Sequence, residues 1–332
     1  FWNFSVTCKK ILKSLNTQSY PSTRWRALSL TWDLAEKFMA HRSWTNRVGK
    51  SFSALGCHRD FLDWHAFISR PEFEFARTHD RLLWFKGLRG YLSKQWNSAQ
   101  AYKVIKDSYR YTLIHPGVMQ ETLLKGKNVK VLDLLISEEA GRLQLNLCHS
   151  PTFKREGEWC LTLECPQMGG PLVSLGFSVE EVKGEWVLYV GAIQHHGNVT
   201  PEHIKESCKA MHGLRAKCML LYLLQGFARN LGFKRILGVS NQIHMSSRKH
   251  LIHVPWNKIT FDYNQTWLDV RGVAVAGGWF DIPLRNERRA AEEIKANKRS
   301  MYKRRYAFLD QLDEALLKNL TTSTEAHLAC TI

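Results

Sequence analysis

The chain lacks the short motifs that mark most nucleotide-dependent and metal-dependent enzymes. It contains no Walker A loop, no complete dinucleotide-binding fingerprint, no nucleophile elbow and no zinc-protease motif. Its eight cysteines include no C-x-x-C pair, and the spacing of Cys160 and Cys165 matches no common zinc knuckle. We therefore expect no metal site. The cysteines are interpreted as reduced thiols, with disulfide pairing as the open alternative.

Long apolar runs are also missing. The best run, from Cys218 to Leu224, is well below the length of about 18 residues that a membrane-spanning helix needs. The sequence therefore predicts no transmembrane segment. We expect a cytoplasmic protein, either free or peripheral at the inner membrane. A periplasmic location stays open because a signal peptide could have preceded Phe1.

Acidic residues are scarce relative to basic ones. Lys and Arg number 47 against 30 Asp and Glu, which gives a formal net charge of +17. This excess is larger than solubility requires and indicates an anionic partner: nucleic acid, an acidic lipid surface or a phosphorylated small molecule. No recognised nucleic-acid-binding motif is present, so nucleic acid is the least favoured of the three.

Hydrophobic periodicity divides the chain into four predicted regions. Residues 1–115 read as helical and include an amphipathic helix over Thr23–Phe38. Residues 116–284 contain six or more strand-like runs and form the predicted α/β (α+β) domain, with a mixed, mostly antiparallel sheet. Residues 285–320 are predicted to form a basic C-terminal helix, and residues 321–332 a flexible tail.

The α/β domain is organised around residues 172–244. Two strand-like runs flank Lys183-Gly184, a turn signal that predicts an antiparallel hairpin. Apolar residues then recur at helical spacing from Leu214 to Leu231, and residues 236–240 read as a buried strand. Strand, helix and strand in this order predict a crossover unit, with a crevice where the first strand ends and the helix begins. Residues 260–267 and 277–283 are predicted to form a final pair of strands or turns over this crevice.

Five ordered motifs between Val129 and Leu317 resemble one bacterial family. They are Val190-Gly-Ala-Ile-Gln194, His212-Gly-Leu-Arg-Ala-Lys217, Gly238-Val-Ser-Asn-Gln-Ile-His244, Phe261-Asp-Tyr263 with Trp267, and Lys298-Arg-Ser-Met-Tyr-Lys-Arg-Arg-Tyr306. On these motifs the chain is similar to the VirK/YbjX family. The resemblance implies a role in envelope integrity, virulence-factor display or resistance to antimicrobial peptides, and it implies no particular reaction. Ala216 departs from the family, which has Pro at this position.

The order of the predicted sheet elements also resembles the Gcn5-related N-acetyltransferase fold. In that fold a splayed strand precedes a helix whose N-terminus holds the pyrophosphate of acyl-coenzyme A on backbone amides. The resemblance implies acyl-coenzyme A or an acyl-carrier thioester as the cofactor. Gly213 allows close backbone approach, and Arg215 and Lys217 add positive charge at the helix start. The loop departs from the fold's pattern, with Ala210 in place of Arg or Gln and Arg215 in place of a small residue.

Three residues at the crevice are predicted to carry catalysis. His244 is the candidate general base because imidazole titrates near neutral pH. Asp262 is predicted to act as a base or to orient one, and Tyr263 to protonate a leaving group. A strand-edge Asp and a packed Tyr are the structural alternative. The predicted ligand-binding residues are Gln194, His212, Gly213, Arg215, Lys217 and Asn241, the last with a turn-forming role as its alternative.

The basic segment near the C-terminus is predicted to bind an anionic surface. Between Arg285 and Arg305 the sequence has nine Lys or Arg residues against three Glu. A solvated helix face is the plain interpretation of such a run. The functional interpretation is contact with anionic lipid or lipopolysaccharide. The residues assigned to this contact are Lys298, Arg299, Tyr302, Lys303, Arg304 and Arg305.

Two hypotheses of different class follow. In the first, the protein is an acyltransferase that moves an acyl group from a thioester to an envelope component. In the second, it is a noncatalytic adaptor that binds anionic lipid or a client envelope protein through its basic surface. The shape and charge of the crevice distinguish the two hypotheses, because only the enzyme requires an open, basic crevice. Filling by Trp256 or Trp267 would argue against catalysis.

Overall fold

The computed structural model describes residues 23–39, 44–149, 153–197, 199–245 and 261–329. They divide into two units. Unit 1 comprises the described residues up to Gly90 together with Asn97–Lys106. Unit 2 comprises Tyr91–Trp96 and the described residues from Asp107 onward. The boundary between the units falls inside one helix, and the predicted division of the chain at residue 115 stays a prediction.

Unit 1 is helical around an aromatic core. The rings of Phe61, Trp64 and Tyr102 meet at centroid distances of 6.1 to 6.4 Å. The Trp64 indole donates a hydrogen bond of 3.2 Å to the carbonyl of Leu83, which satisfies its polar atom in the core. Its helices are α1 (Thr23–Phe38), α2 (Trp44–Gly56), α3 (His58–Ile68), α4 (Glu74–His79) and the first part of α5 (Ser98–Ile114). The helix predicted over Thr23–Phe38 is therefore confirmed.

Unit 2 is built on one mixed sheet of eight strands in the order β1-β2-β3-β4-β5-β6-β8-β7. The strands are β1 (Val129–Ser137), β2 (Gly141–Cys148), β3 (Trp159–Cys165), β4 (Gly170–Val182), β5 (Glu185–His195), β6 (Arg235–Val239), β7 (Val273–Val275) and β8 (Trp279–Ile282). Its helices, besides the end of α5, are α6 (Val118–Lys125), α7 (Pro201–Ala210), α8 (Ala216–Asn230), α9 (Tyr263–Leu268) and α10 (Arg299–Ala329). The predicted fold class, a mostly antiparallel α+β sheet with helices before and after it, is confirmed.

Aromatic side chains fix helices to the sheet. Phe177 of β4 stacks on Trp159 of β3 and meets Phe227 of α8 edge-on. The Trp159 indole donates to the carbonyl of Met119 in α6 at 3.1 Å. The next residue of β4, Ser178, points to the opposite face because side chains alternate along a strand. These contacts place α6 and α8 on the same face of the sheet.

The predicted hairpin and crossover are both present. Lys183 and Gly184 adopt positive φ angles of 53° and 83° in a two-residue turn between β4 and β5, which pair antiparallel. β5 and β6 pair in parallel, and α8 connects them. Their pairing stops at Val190↔Gly238, although β5 continues to His195. β6 ends one residue later, at Val239, so β5 extends past the end of its parallel partner, and we call this extension of β5 the splay.

Two expectations about the last third of the chain are wrong. The basic helix begins at Arg299 rather than Arg285, and helical structure continues to Ala329 beyond the predicted end at Leu320. Residues 284–289 instead run alongside α8 and α10, because Arg229 donates to the carbonyl of Leu284 at 2.6 Å and Arg288 pairs with Asp310.

The second error concerns residues 260–267. Residue 260 lies outside the described residues, and Tyr263–Leu268 form the helix α9 in place of the predicted strand or turn, because the Asp262 side chain accepts a hydrogen bond from the backbone of Gln265 and starts a helix. Residues 277–283 do supply a strand, β8. Among the described residues, no helix is both long enough and apolar enough to cross a membrane.

We expect Gly238→Ala to destabilise unit 2 by about 1–3 kcal/mol, because the new methyl group overpacks a closed contact. A Cβ atom at Gly238 would lie 2.6 Å from the indole of Trp267, a side chain with no exposed surface. Gly197→Ala is the matched control, since a Cβ atom there meets nothing within 4 Å. Urea unfolding followed by circular dichroism measures both variants. Equal midpoints for the two would contradict the tight packing of β6 on Trp267.

Candidate functional site in unit 2

The first part of the candidate site is the N-terminus of α8, the crossover helix. Gly213, with φ of 80°, turns the chain into the helix. The first turn of α8 has no capping side chain and no acidic residue. Because the first backbone N–H groups of a helix lack intrahelical partners and carry partial positive charge, this end favours an anion.

Two predicted cations stand at this helix end. Arg215 is the N-cap residue of α8, and its guanidinium lies 2.7 Å from the carboxylate of Asp269, just after α9. Lys217 reaches Thr266 of α9 at 3.4 Å and lies over the ring of Phe261. Both side chains are therefore drawn toward α9. The bulky Arg215 occupies a position where the acetyltransferase pattern has a small residue, and its guanidinium is held by the carboxylate of Asp269.

The crevice between β5 and α8 is small. Arg215 and Lys217 line a cavity of about 60 Å³ together with His195 and Leu172. Burial lowers the pKa of His195, and the Lys217 charge acts in the same direction. Gln194, one residue earlier, is exposed and does not line the cavity. The cavity has room for a few water molecules or a small anionic group, not for a whole thioester cofactor.

His212 connects this region to α10. Its carbonyl accepts a hydrogen bond of 2.9 Å from Arg305, and its ring packs edge-on against Phe308. Burial lowers the pKa of His212, and the charges of Arg304 and Arg305 lower it further. His212 is therefore surrounded by cations, which favours its neutral form at pH 7.

The second part of the site lies at the splay. His244 and Tyr263 stack face to face with ring centroids 4.5 Å apart, and both are almost fully buried. His244 forms a hydrogen bond with the backbone of Gly191, and Tyr263 with the backbone of Ile193. Both backbone partners belong to β5 beyond the last pair with β6. The two predicted catalytic residues thus come together on the part of β5 that β6 leaves.

The protonation states of this pair are complementary. Burial lowers the pKa of His244 to about 4, so the imidazole is neutral at pH 7. Burial raises the pKa of Tyr263 well above its ordinary value, so the phenol keeps its proton. A neutral imidazole beside a protonated phenol is a base next to an acid.

Asp262 and Asn241 form hydrogen bonds that stabilise the local fold. The Asp262 carboxylate caps α9 by accepting from the backbone of Gln265 at 3.0 Å, and it accepts a second bond of 2.8 Å from the Asn241 side chain. The Asn241 carbonyl oxygen in turn accepts from the backbone of Tyr263 at 2.8 Å. These bonds tie the turn after β6 to the start of α9. They also hold the pKa of the Asp262 carboxyl below its usual range.

The basic residues predicted to bind an anionic surface do not share one environment. Tyr302 and Arg305 line a groove of about 730 Å³ bounded by α8, α9, residues 285–289 and α10. Lys303 and Arg304 are exposed and outside this groove. Lys298 and Arg299 are exposed at the start of α10, and Arg299 donates to the carbonyl of Ile294 at 3.2 Å. The predicted set therefore divides between a groove and an open helix face.

Sequence reasoning missed most residues of this groove. Six arginines line it, and we call it the arginine groove: Arg229, Arg271, Arg285, Arg288, Arg289 and Arg305. Reading residues 285–320 as one helix distributes the first arginines around that helix.

Of the two tryptophans that could fill the crevice, Trp267 does not do so. Trp267 is fully buried and donates to the carbonyl of Val239 at 2.7 Å, and it does not line the cavity at His195. Trp256 lies outside the described residues. Within the described residues, no group of three or more His, Cys, Asp or Glu side chains is placed to hold a metal ion.

A comparison with protein-family models decides the affiliation of the chain. Residues 41–318 match the family described as "Protein of unknown function (DUF535)". The chain belongs to the DUF535 family. The match covers more than half of the sequence and includes every predicted site residue.

Curated relatives of this DUF535 chain are bacterial. "Uncharacterized protein YbjX" of Escherichia coli (strain K12) is 26% identical over 302 residues, covering 88% of this chain and 90% of the relative. An "Uncharacterized protein" of Haemophilus influenzae is 22% identical over 293 residues, covering 86% and 91%. The resemblance to the VirK/YbjX family is thereby confirmed. No solved structure matches the chain significantly.

Because of His244, the free energy of unfolding should decrease as the pH is lowered from about 6.5 toward 4. The native pKa of about 4 lies below the ordinary value of 6.5, so the unfolded chain binds the proton first as pH falls. The stability contribution of neutral His244 is complete above pH 6.5 and disappears as pH approaches 4, with a loss of roughly 2 kcal/mol between pH 7 and pH 5. Urea unfolding of the wild type and of His244→Phe at both pH values isolates this loss. An equal pH dependence in the two proteins would show that the imidazole is not buried as described.

Asp262 offers a separate test of capping against chemistry. Asp262→Ala should destabilise unit 2 by about 1 kcal/mol because α9 loses its cap. Asp262→Asn should cost only a few tenths, since asparagine caps helices about as well as aspartate. Thermal unfolding of both variants at pH 7 gives the comparison. If the asparagine variant were as unstable as the alanine variant, the carboxylate charge rather than the cap would be what matters.

Proposed function

We propose that unit 2 is an acyltransferase-like module that binds an acyl thioester and transfers its acyl group to an envelope component. One observation carries the proposal. β5 extends past the end of β6 after Val190↔Gly238, and the crossover helix α8 starts next to the end of β5 with an uncapped N-terminus. A strand that outruns its parallel partner next to an uncapped helix N-terminus offers an anion site and a backbone edge in the same place.

Binding of the thioester would use the helix end. The phosphates of coenzyme A or of a carrier prosthetic group would meet the first N–H groups of α8, with Arg215 and Lys217 providing the compensating charge. The cavity at His195 is of a size for a small anionic group. The extended arm of the cofactor would follow β5, where His244 and Tyr263 now bond the backbone.

Catalysis would use the stacked pair. Neutral His244 takes the proton of an attacking amine or hydroxyl, which then bonds to the thioester carbonyl carbon. The carbon–sulfur bond breaks, and the leaving thiolate takes the proton of Tyr263. Burial keeps both groups neutral at pH 7, so that His244 has a lone pair to accept a proton and Tyr263 has a proton to give. Asp262 would position Tyr263 through Asn241 and the cap of α9.

The acceptor is proposed to be an anionic envelope component such as a lipid or lipopolysaccharide. Membership of the VirK/YbjX family supports a role in envelope integrity, virulence-factor display or antimicrobial-peptide resistance. The formal charge of +17 and the exposed pair Lys303 and Arg304 support an anionic acceptor.

A second candidate function is a noncatalytic adaptor for anionic lipid or a client envelope protein. Two observations favour it. The cavity beside α8 is small, and Arg215 is already paired with Asp269. In this case His244 and Tyr263 are internal partners of β5, and the basic surface alone carries the function.

We expect acetyl-coenzyme A or a long-chain acyl-coenzyme A to raise the melting temperature of the full chain. A ligand at roughly a hundred times its dissociation constant adds about 2.7 kcal/mol of stability. Arg215→Gln/Lys217→Gln should remove most of this shift, because it removes both cations at the start of α8. Lys205→Gln, an exposed cation on α7, is the control that should retain the shift.

The adaptor predicts a different outcome. It predicts no shift with any thioester, together with salt-sensitive binding to anionic vesicles. A shift that survives Arg215→Gln/Lys217→Gln would place the thioester elsewhere and refute the α8 site.

A further inference from the structure

The arginine groove is distinct from the cavity at the end of β5. Leu214, Cys218, Tyr222 and Arg229 contribute to one wall, Tyr302 and Arg305 to another, and its volume is about 730 Å³. Binding sites for small molecules have volumes of about 300–1,000 Å³. The groove is thus large enough for an organic ligand, whereas the cavity at His195 is not.

Each acidic residue that lines the groove already has a cationic partner. Asp269 pairs with Arg215 at 2.7 Å and Glu287 with Arg271 at 3.2 Å. Asp310 pairs with Arg288, and Asp313 lies 3.4 Å from Arg229. Every carboxylate that lines the groove is therefore in an ion pair with an arginine of the protein.

Three arginines of the groove remain without a carboxylate. Within the described part of the chain, no Asp or Glu forms an ion pair with Arg285, Arg289 or Arg305. Arg305 donates to the carbonyl of His212 and stacks 4.5 Å from the ring centroid of Tyr302. Six arginines against four acids give the groove lining a net charge of +2, and the three arginines without a carboxylate partner keep their charge available to an anion.

Aromatic rings hold two of the guanidinium groups in place. Arg305 lies over Tyr302, and Arg288 lies over Tyr306 at 5.0 Å. The Tyr306 hydroxyl also accepts a hydrogen bond of 3.0 Å from the backbone of Arg289. A guanidinium stacked on a ring loses less freedom on binding and keeps N–H donors for a planar or tetrahedral anion.

We propose that the arginine groove binds a small molecule that carries two or more phosphate groups. Guanidinium groups bind phosphate through two parallel hydrogen bonds, and three uncompensated arginines match the charge of a diphosphate. The proposal rests on the groove alone and not on acyl transfer. A free phosphorylated compound and a phospholipid headgroup share this chemistry, and the experiment separates them.

The test is calorimetric titration of the full chain with sodium pyrophosphate at fixed ionic strength. Arg285→Gln/Arg289→Gln should weaken binding by about tenfold or more, because charge-assisted hydrogen bonds are lost. Lys205→Gln/Lys209→Gln removes the same charge from the exposed face of α7, outside the groove, and should change the affinity less than about twofold. Neither Arg285 nor Arg289 pairs with an acid, so the variant should keep the wild-type circular dichroism spectrum.

The source of the phosphates is tested with vesicles of phosphatidylcholine with and without cardiolipin, a lipid that carries two phosphate groups. Vesicle binding that needs cardiolipin and is lost in Arg285→Gln/Arg289→Gln identifies a lipid headgroup. Pyrophosphate binding without vesicle binding identifies a free phosphorylated compound. Either result supports the groove.

Three results would overturn the proposal. Absence of pyrophosphate binding to the wild type is the first. Equal weakening in the groove variant and the α7 variant is the second, because it shows only general charge attraction. The third is weakening confined to Arg215→Gln/Lys217→Gln. That result places the diphosphate at the start of α8, which leaves the proposed thioester site standing while the groove proposal fails.

Discussion

The backbone of β5 beyond Val190 is the constraint on which unit 2 depends. Buried backbone groups need hydrogen-bond partners, and β6 stops supplying them at Gly238. β4 continues to pair with β5 as far as Val173↔His195, while His244 and Tyr263 bond the backbone of Gly191 and Ile193. Two buried side chains thus contact the part of the β5 backbone that β6 does not cover. Contact with the β5 backbone buries both side chains, and this burial lowers the pKa of His244 and raises the pKa of Tyr263.

Asn241 explains how the side chains reach this edge. The turn after β6 and the start of α9 are distant in sequence, yet Asn241 bonds both Asp262 and the backbone of Tyr263. Loss of these bonds would free α9 and with it the stacked partner of His244. The cap of a helix of six residues therefore positions the candidate acid. Because Asn241 and Asp262 stabilise α9 and also position Tyr263, the stability of each variant has to be measured together with its activity.

Local sequence signals were sufficient for much of this architecture. Lys183-Gly184 between alternating strands predicts the hairpin, and the change to helical spacing at Leu214 predicts the crossover. The early end of β6 could not be inferred from local signals, because strand pairing is not a local property. The arginine groove could not be inferred, since residues 284–289 are positioned by distant partners such as Arg229 and Asp310. Charge density alone does not reveal which arginines already have partners.

The first turn of α8 lies between the two cationic regions. On one side, Arg215 and Lys217 line the cavity at β5; on the other, Leu214 and Cys218 line the arginine groove. Arg305 reaches from the groove to the carbonyl of His212, so it adds positive charge to the loop that starts the helix. An anion bound on either side must therefore lower the positive potential felt on the other, by an amount that falls as ionic strength rises. If both proposed ligands bind, they should compete electrostatically without sharing a contact.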